Sequence, residues 1–87
     1  MAARIFEHPI PDTTPLRLPR GARILKLDVQ NDTPTIWAAV DPDADQVVRS
    51  VAIVGTGGSM PPEHFEYVDS VQLGPLVWHI FLGAELT

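Results

Sequence analysis

Nine prolines are spread along 87 residues, about twice the usual frequency, at Pro9, Pro11, Pro15, Pro19, Pro34, Pro42, Pro61, Pro62 and Pro75. A proline removes a backbone donor and breaks a helix interior, and here the prolines fall between apolar runs and cut the chain into pieces of strand length. The runs between them are Ala22–Asn31, Thr35–Asp41, Gln46–Gly55 and Leu76–Leu82, all rich in β-branched and aromatic residues. None carries an apolar stripe at helical period. In the first, Leu25, Leu27 and Val29 alternate with Lys26, Asp28 and Gln30, the pattern of a strand with one wet face.

Asn31-Asp32-Thr33-Pro34 supplies turn chemistry between the first two runs, and Asp41-Pro42-Asp43-Ala44-Asp45 between the next two, so two successive hairpins are expected. Weaker strands are read at Arg4–His8, Pro15–Leu18 and Glu66–Leu73, the last joined to Leu76–Leu82 through Gly74-Pro75. The expected fold is a small all-β antiparallel sandwich or open barrel of six to seven short strands built from hairpins, with one helical turn near 61–64. The whole chain, 1–87, reads as a single domain.

Zero cysteines remove disulfides, thiolate metal sites and thiol nucleophiles together. A small domain without such staples must rely on its core or on association, so a homo-oligomer is expected. The N-terminus lacks an apolar signal region, and no run approaches the roughly 18 apolar residues of a membrane span, which points to a cytoplasmic protein that does not engage a membrane. Eleven acidic against six basic residues give a net charge of −5, which disfavours duplex nucleic acid.

Within that acidic chain the positive charge is gathered in one segment. Arg17, Arg20, Arg23 and Lys26 are four of the six basic residues, with no acid between Asp12 and Asp28. Guanidinium groups bind phosphate in bidentate fashion, so Arg20, Arg23 and Lys26 are candidate ligand-binding residues; the alternative is a solvated face paired with surplus acids. Gly55-Thr56-Gly57-Gly58 follows an apolar strand, where a glycine-rich loop can present N–H groups to phosphate, although neither the dinucleotide fingerprint nor the P-loop is complete. Trp37 is a candidate to stack on a base, and His79, in the apolar run Val77–Phe81, is either a satisfied histidine or a polar group of a pocket. Asp41, Asp43 and Asp45 open like a calcium loop but lack its glycine and closing glutamate. His8, His64 and His79 have no metal-ligand spacing, and no serine sits in a nucleophile motif, so neither a metal, a cofactor nor catalysis is expected.

The ordered set V-Q-N (29–31), T-I-W-A-A-V-D-P (35–42), I-V-G-T-G (53–57), F-E-Y-V (65–68) and V-W-H-I-F (77–81) resembles a family of short bacteriophage and prophage proteins of unassigned function. The likeness runs from Ile5 to about Gly83. It implies a phage accessory protein acting in the cytoplasm of the bacterial host, with no established catalytic residues to carry over. In size and all-β pattern the chain is also similar, more loosely, to the phage sponge proteins that sequester nucleotide signals of bacterial immunity. The functional expectation is therefore a non-catalytic binder of a small phosphorylated ligand, a cyclic dinucleotide or related nucleotide, held at an oligomer interface. The alternative is a phage structural or protein-interaction component without a small-molecule ligand.

Overall fold

The computed structural model describes residues 3–10 and 15–86. It contains β1 (Arg4–Pro9), β2 (Leu16–Pro19), β3 (Arg23–Gln30), β4 (Thr33–Val40), β5 (Gln46–Arg49), β6 (Val51–Gly55), β7 (Glu66–Leu73) and β8 (Leu76–Leu82). They form three antiparallel sheets of order β1-β4-β3, β2-β5 and β6-β8-β7. The protein is thus a small antiparallel all-β fold. Every run and weaker segment read as a strand is one, and the eighth strand arises because Gln46–Gly55 bends at Ser50 and serves two sheets.

Two hairpins have the turn chemistry their sequence supplies. Gln30 and Thr33 are joined by Asn31 and Asp32 at φ of 52° and 60°, positive values that these two residue types tolerate and that a two-residue hairpin needs. Thr33 and Pro34 lie inside β4 rather than in the turn. Gly74 at φ 62° followed by Pro75 closes β7 onto β8.

Two expectations are corrected. The Asp41–Asp45 segment does not close a hairpin: β4 is flanked by β1 and β3 and has no free edge, so the chain crosses over and β5 pairs with β2. Asp41 Oδ1 accepts from Asp43 N–H (3.0 Å) and holds this acidic corner. The expected helical turn near 61–64 is a tight turn closed by Phe65 N–H on the carbonyl of Pro62 (3.0 Å), with no helix.

The core lies between the sheets. Leu18, Ile36, Ile80 and Leu82 are almost wholly buried, with Ile10, Leu16, Leu27 and Val71 around them and Trp78, Val68 and Ile24 packed against the cluster. In β3 the register slips between Ile24 and Lys26, opposite Ala38 and Trp37, so that Leu25 is the extra residue and is exposed while Ile24 and Leu27 both face inward. In β7 a second slip between Tyr67 and Asp69 turns Val68 toward the core. The simple alternation read over Leu25–Gln30 therefore holds only from Lys26 onward.

Candidate functional site

The strands that carry the two bulges, β3 and β7, are edge strands of different sheets and run close to each other without a ladder between them. The bulges break both edges at this seam, and a cleft of about 420 Å³ opens there, lined on one side by residues 22–27 and on the other by residues 66–69, with Arg49 and Leu82 completing it. That volume falls within the range of small-molecule sites, about 300–1,000 Å³.

Three of the six basic residues line it, Arg23, Lys26 and Arg49, against two acids, Glu66 and Asp69. The cleft is net positive on a protein of charge −5. Arg49 is the least exposed of the three, its side chain 14% exposed. Its Nε donates to the carbonyl of Gly83 at 2.7 Å, and its Nη2 stands 3.9 Å from Glu66 Oε2, longer than a hydrogen bond. A guanidinium has five donors in a planar fork, so this anchored arginine retains N–H groups for a ligand. Lys26 Nζ lies 3.6 Å from Asp28, both exposed, and Arg23 makes no ion pair among the described residues. Tyr67, exposed, stands on the same rim with its ring edge-on to Phe81 at 5.5 Å between centroids.

Among the residues singled out in the sequence, the structure brings Arg23 and Lys26 to this cleft and takes Arg20 away. Arg20 makes a two-pronged pair with Asp45, Nε to Oδ1 at 3.0 Å and Nη2 to Oδ2 at 2.8 Å, at the β2–β5 end. The hydrogen bond, reinforced by charge, raises the arginine pKa and lowers that of the aspartate. Trp37, half-buried, lies beside Lys26 on the outer face of its sheet, with Lys26 Nζ 5.5 Å from the ring centroid.

The glycine loop sits elsewhere, at the Trp78 end of β8, four residues from Leu82 and hence about 13 Å along the strand. Thr56 N–H is spent on Val77 O (3.2 Å) and Gly58 N–H on Gly55 O (2.9 Å), so half of the loop's candidate donors are already used. Gly55 has a packing role, since a Cβ there would stand 3.1 Å from the Trp78 ring. Gly57, at φ 94°, makes the turn.

His79 is held between two hydroxyls: Nδ1 lies 2.7 Å from Ser70 Oγ and Nε2 2.9 Å from Thr56 Oγ1, while Tyr67 Oη lies 2.7 Å from Ser70 Oγ. Register places Ser70, His79 and Val54 side by side across the β6-β8-β7 sheet. No sequence motif pairs Ser70 with His79; only the β7–β8 register does. With Thr56 on its second nitrogen, His79 has no carboxylate to orient it as a base in this arrangement. Among the described residues no group of three or more histidines and acids could hold a metal ion, and no helix is long and apolar enough to cross a membrane.

Arg49 was the residue missed from sequence. Its signal was present, a single cation within the otherwise uncharged run Val47–Gly55. A second cavity, also about 420 Å³ and mainly apolar, lies between the β3–β4 turn and Ile53, Leu73 and Trp78. No curated protein and no solved structure matches the chain. A family model described as "Domain of unknown function (DUF7352)" matches residues 1–86, nearly the whole chain, and the protein belongs to that family.

Proposed function

We propose that the protein is a non-catalytic binding module that takes a small phosphorylated ligand in the β3–β7 cleft. The supporting observation is Arg49, a largely buried guanidinium fixed through one N–H to Gly83 and lining, together with Arg23 and Lys26, a cleft of small-molecule size. Buried charge is costly without a partner, and Glu66 at 3.9 Å is a loose one, so an anion at this place completes the arginine's hydrogen bonding. Tyr67 on the rim supplies a flat ring on which a base can stack, a role the sequence suggested for Trp37. The ligand class is a nucleotide. Together with the resemblance to short phage proteins, this supports a sponge that sequesters a nucleotide signal in the host cytoplasm. The cleft lies within one chain, so this reading does not require the site to be shared between protomers.

Isothermal calorimetry tests it with inorganic phosphate, pyrophosphate, nucleoside monophosphates and cyclic mono- and dinucleotides. The expected result is binding of at least one nucleotide at micromolar strength, lost when Arg23 and Lys26 are both replaced by alanine and kept in Arg20→Ala. Binding unaffected by the double substitution would move the site elsewhere. No heat with any probe would leave the structural or protein-interaction reading as the better one.

A further inference from the structure

We propose that two copies of the chain pair through β1, antiparallel and two-fold symmetric about Phe6, to form a continuous six-stranded sheet.

In an antiparallel ladder, residues that exchange hydrogen bonds with the neighbour alternate with residues whose backbone groups point away. Ile10 N–H donates to Pro34 O at 2.9 Å, one step beyond the Pro9–Thr35 pair. His8, Phe6 and Arg4 share its phase and face β4, whereas Ala3, Ile5, Glu7 and Pro9 present their backbone groups to the other edge. Pro9 therefore sits in a strand without removing a bond to β4, and its missing N–H marks one end of the outer edge. Among the described residues no strand pairs with that edge.

The side chains of β1 are unusually uncovered. Ile5 is 68% exposed on one face and Phe6 38% exposed on the other, so the middle of the strand is open on both faces, while the core covers its His8–Ile10 end. A bare edge of this kind is a template for another strand, and natural proteins guard such edges with charges or keep them for an interface.

A second copy fits the edge by its own symmetry. Every two-fold register centred on a residue keeps the odd-numbered residues hydrogen-bonded, and the three with the longest overlap are centred on Ile5, Phe6 or Glu7. Centring on Glu7 sets two carboxylates opposite each other and Pro9, without a donor, opposite Ile5. Centring on Ile5 leaves Glu7 facing Ala3 and Pro9 beyond the overlap. Centring on Phe6 uses the whole length from Ala3 to Pro9, pairs Ile5 with Glu7 twice, and puts the donorless Pro9 only at the two ends of the ladder, opposite Ala3. It also places Phe6 against Phe6 and sets Arg4 opposite His8, whose pKa burial lowers, so the arginine meets an uncharged ring at neutral pH. The contact is isologous and closes, so it yields a dimer rather than a fibre.

The inference is independent of the ligand reading and is tested on the full chain without ligand. Sedimentation and light scattering up to about 1 mM should give twice the 9.5 kDa chain mass. The paired Phe6 residues would be a non-hydrogen-bonded pair with Cα atoms about 4.5 Å apart, within the range a disulfide spans. The chain has no cysteine, so Phe6→Cys introduces the only thiol. Under mild oxidation Phe6→Cys should cross-link at least tenfold faster than Met60→Cys, a control at a position 75% exposed. Ile5→Lys should leave thermal melting of the monomer unchanged and abolish the dimer. A monomer over the whole concentration range overturns the proposal, as does a dimer in which Phe6→Cys cross-links no faster than the control.

Discussion

Ser70 Oγ and His79 Nδ1 are 2.7 Å apart, and each belongs to a chain of polar groups that runs from Tyr67 on β7 across β8 to Thr56, just past the end of β6. The Thr56 hydroxyl has Val77 O within 3.4 Å, and the direction we predict for the chain has Thr56 Oγ1 accept from His79 Nε2 at 2.9 Å. Nδ1 then accepts from Ser70, and Ser70 accepts from Tyr67, so every donor is used. The neutral ring is expected to carry its proton on Nε2. Nitrogen NMR of labelled histidine at neutral pH would show it directly, and Ser70→Ala should cost about 1 kcal/mol by freeing Nδ1.

Arg49→Ala should be more damaging than a surface arginine substitution. It removes the donor to Gly83 O in a part of the chain that is buried, and a buried carbonyl without a partner costs about 1–3 kcal/mol. Arg49→Lys should recover little, because an ammonium lacks the fork that reaches Gly83 and the cleft together. Urea denaturation midpoints of the three proteins provide the comparison.

The strands were legible because Pro and Gly punctuation and β-branched composition act locally, and Glu66–Leu73 and Leu76–Leu82 have the bounds the sequence implied. Two tight hairpins, β3–β4 and β7–β8, were legible in the same way, but pairing beyond them was not. Nothing local in Asp41–Asp45 says that β4 already has both edges occupied by β1 and β3, and that occupancy, settled by residues far away in sequence, sends β5 to β2. The same limit divided the site. Arg20, Arg23 and Lys26 are close in sequence, but Asp45 is a nearer partner for Arg20 once β5 lies beside β2, while Arg49 arrives at the cleft from another sheet.

His8 should make stability depend on pH. Burial penalises its charged form and lowers its pKa below 6.5, and its Nε2 is buried without a hydrogen-bond partner among the described residues. As pH falls below 6.5 the unfolded chain takes up the proton first. The contribution is therefore present in full above that value, declines as pH drops below it, and levels off beneath the folded-state pKa. Urea midpoints between about pH 7.5 and 5 should fall more steeply for the wild type than for His8→Leu. Equal slopes would assign the dependence to other groups.

Trp78 and Gly55 form one packing unit. A methyl group on Gly55 would stand 3.1 Å from a rigid indole ring, so Gly55→Ala should destabilise by about 1–3 kcal/mol. Trp78 packs on the core cluster and is half-buried, so Trp78→Ala should cost near the lower end of about 3–5 kcal/mol, whereas Trp37→Ala, outside that cluster, should cost less. In Trp78→Ala the Gly55→Ala penalty should vanish, a coupling that a double-mutant cycle in guanidinium chloride measures.

The seam between β3 and β7 is joined by side chains rather than by a backbone ladder, and Arg49 and Leu82, beside the Ser50 link between β5 and β6, line the cleft within it. Mechanically the two sheets are pages with an unfastened fore-edge. Spreading the pages ruptures few hydrogen bonds, so the leaves can part and reclose while each sheet stays intact. A molecule that touches both pages acts as a clasp, and its grip is felt as resistance to opening along the whole fore-edge, well beyond the residues it contacts.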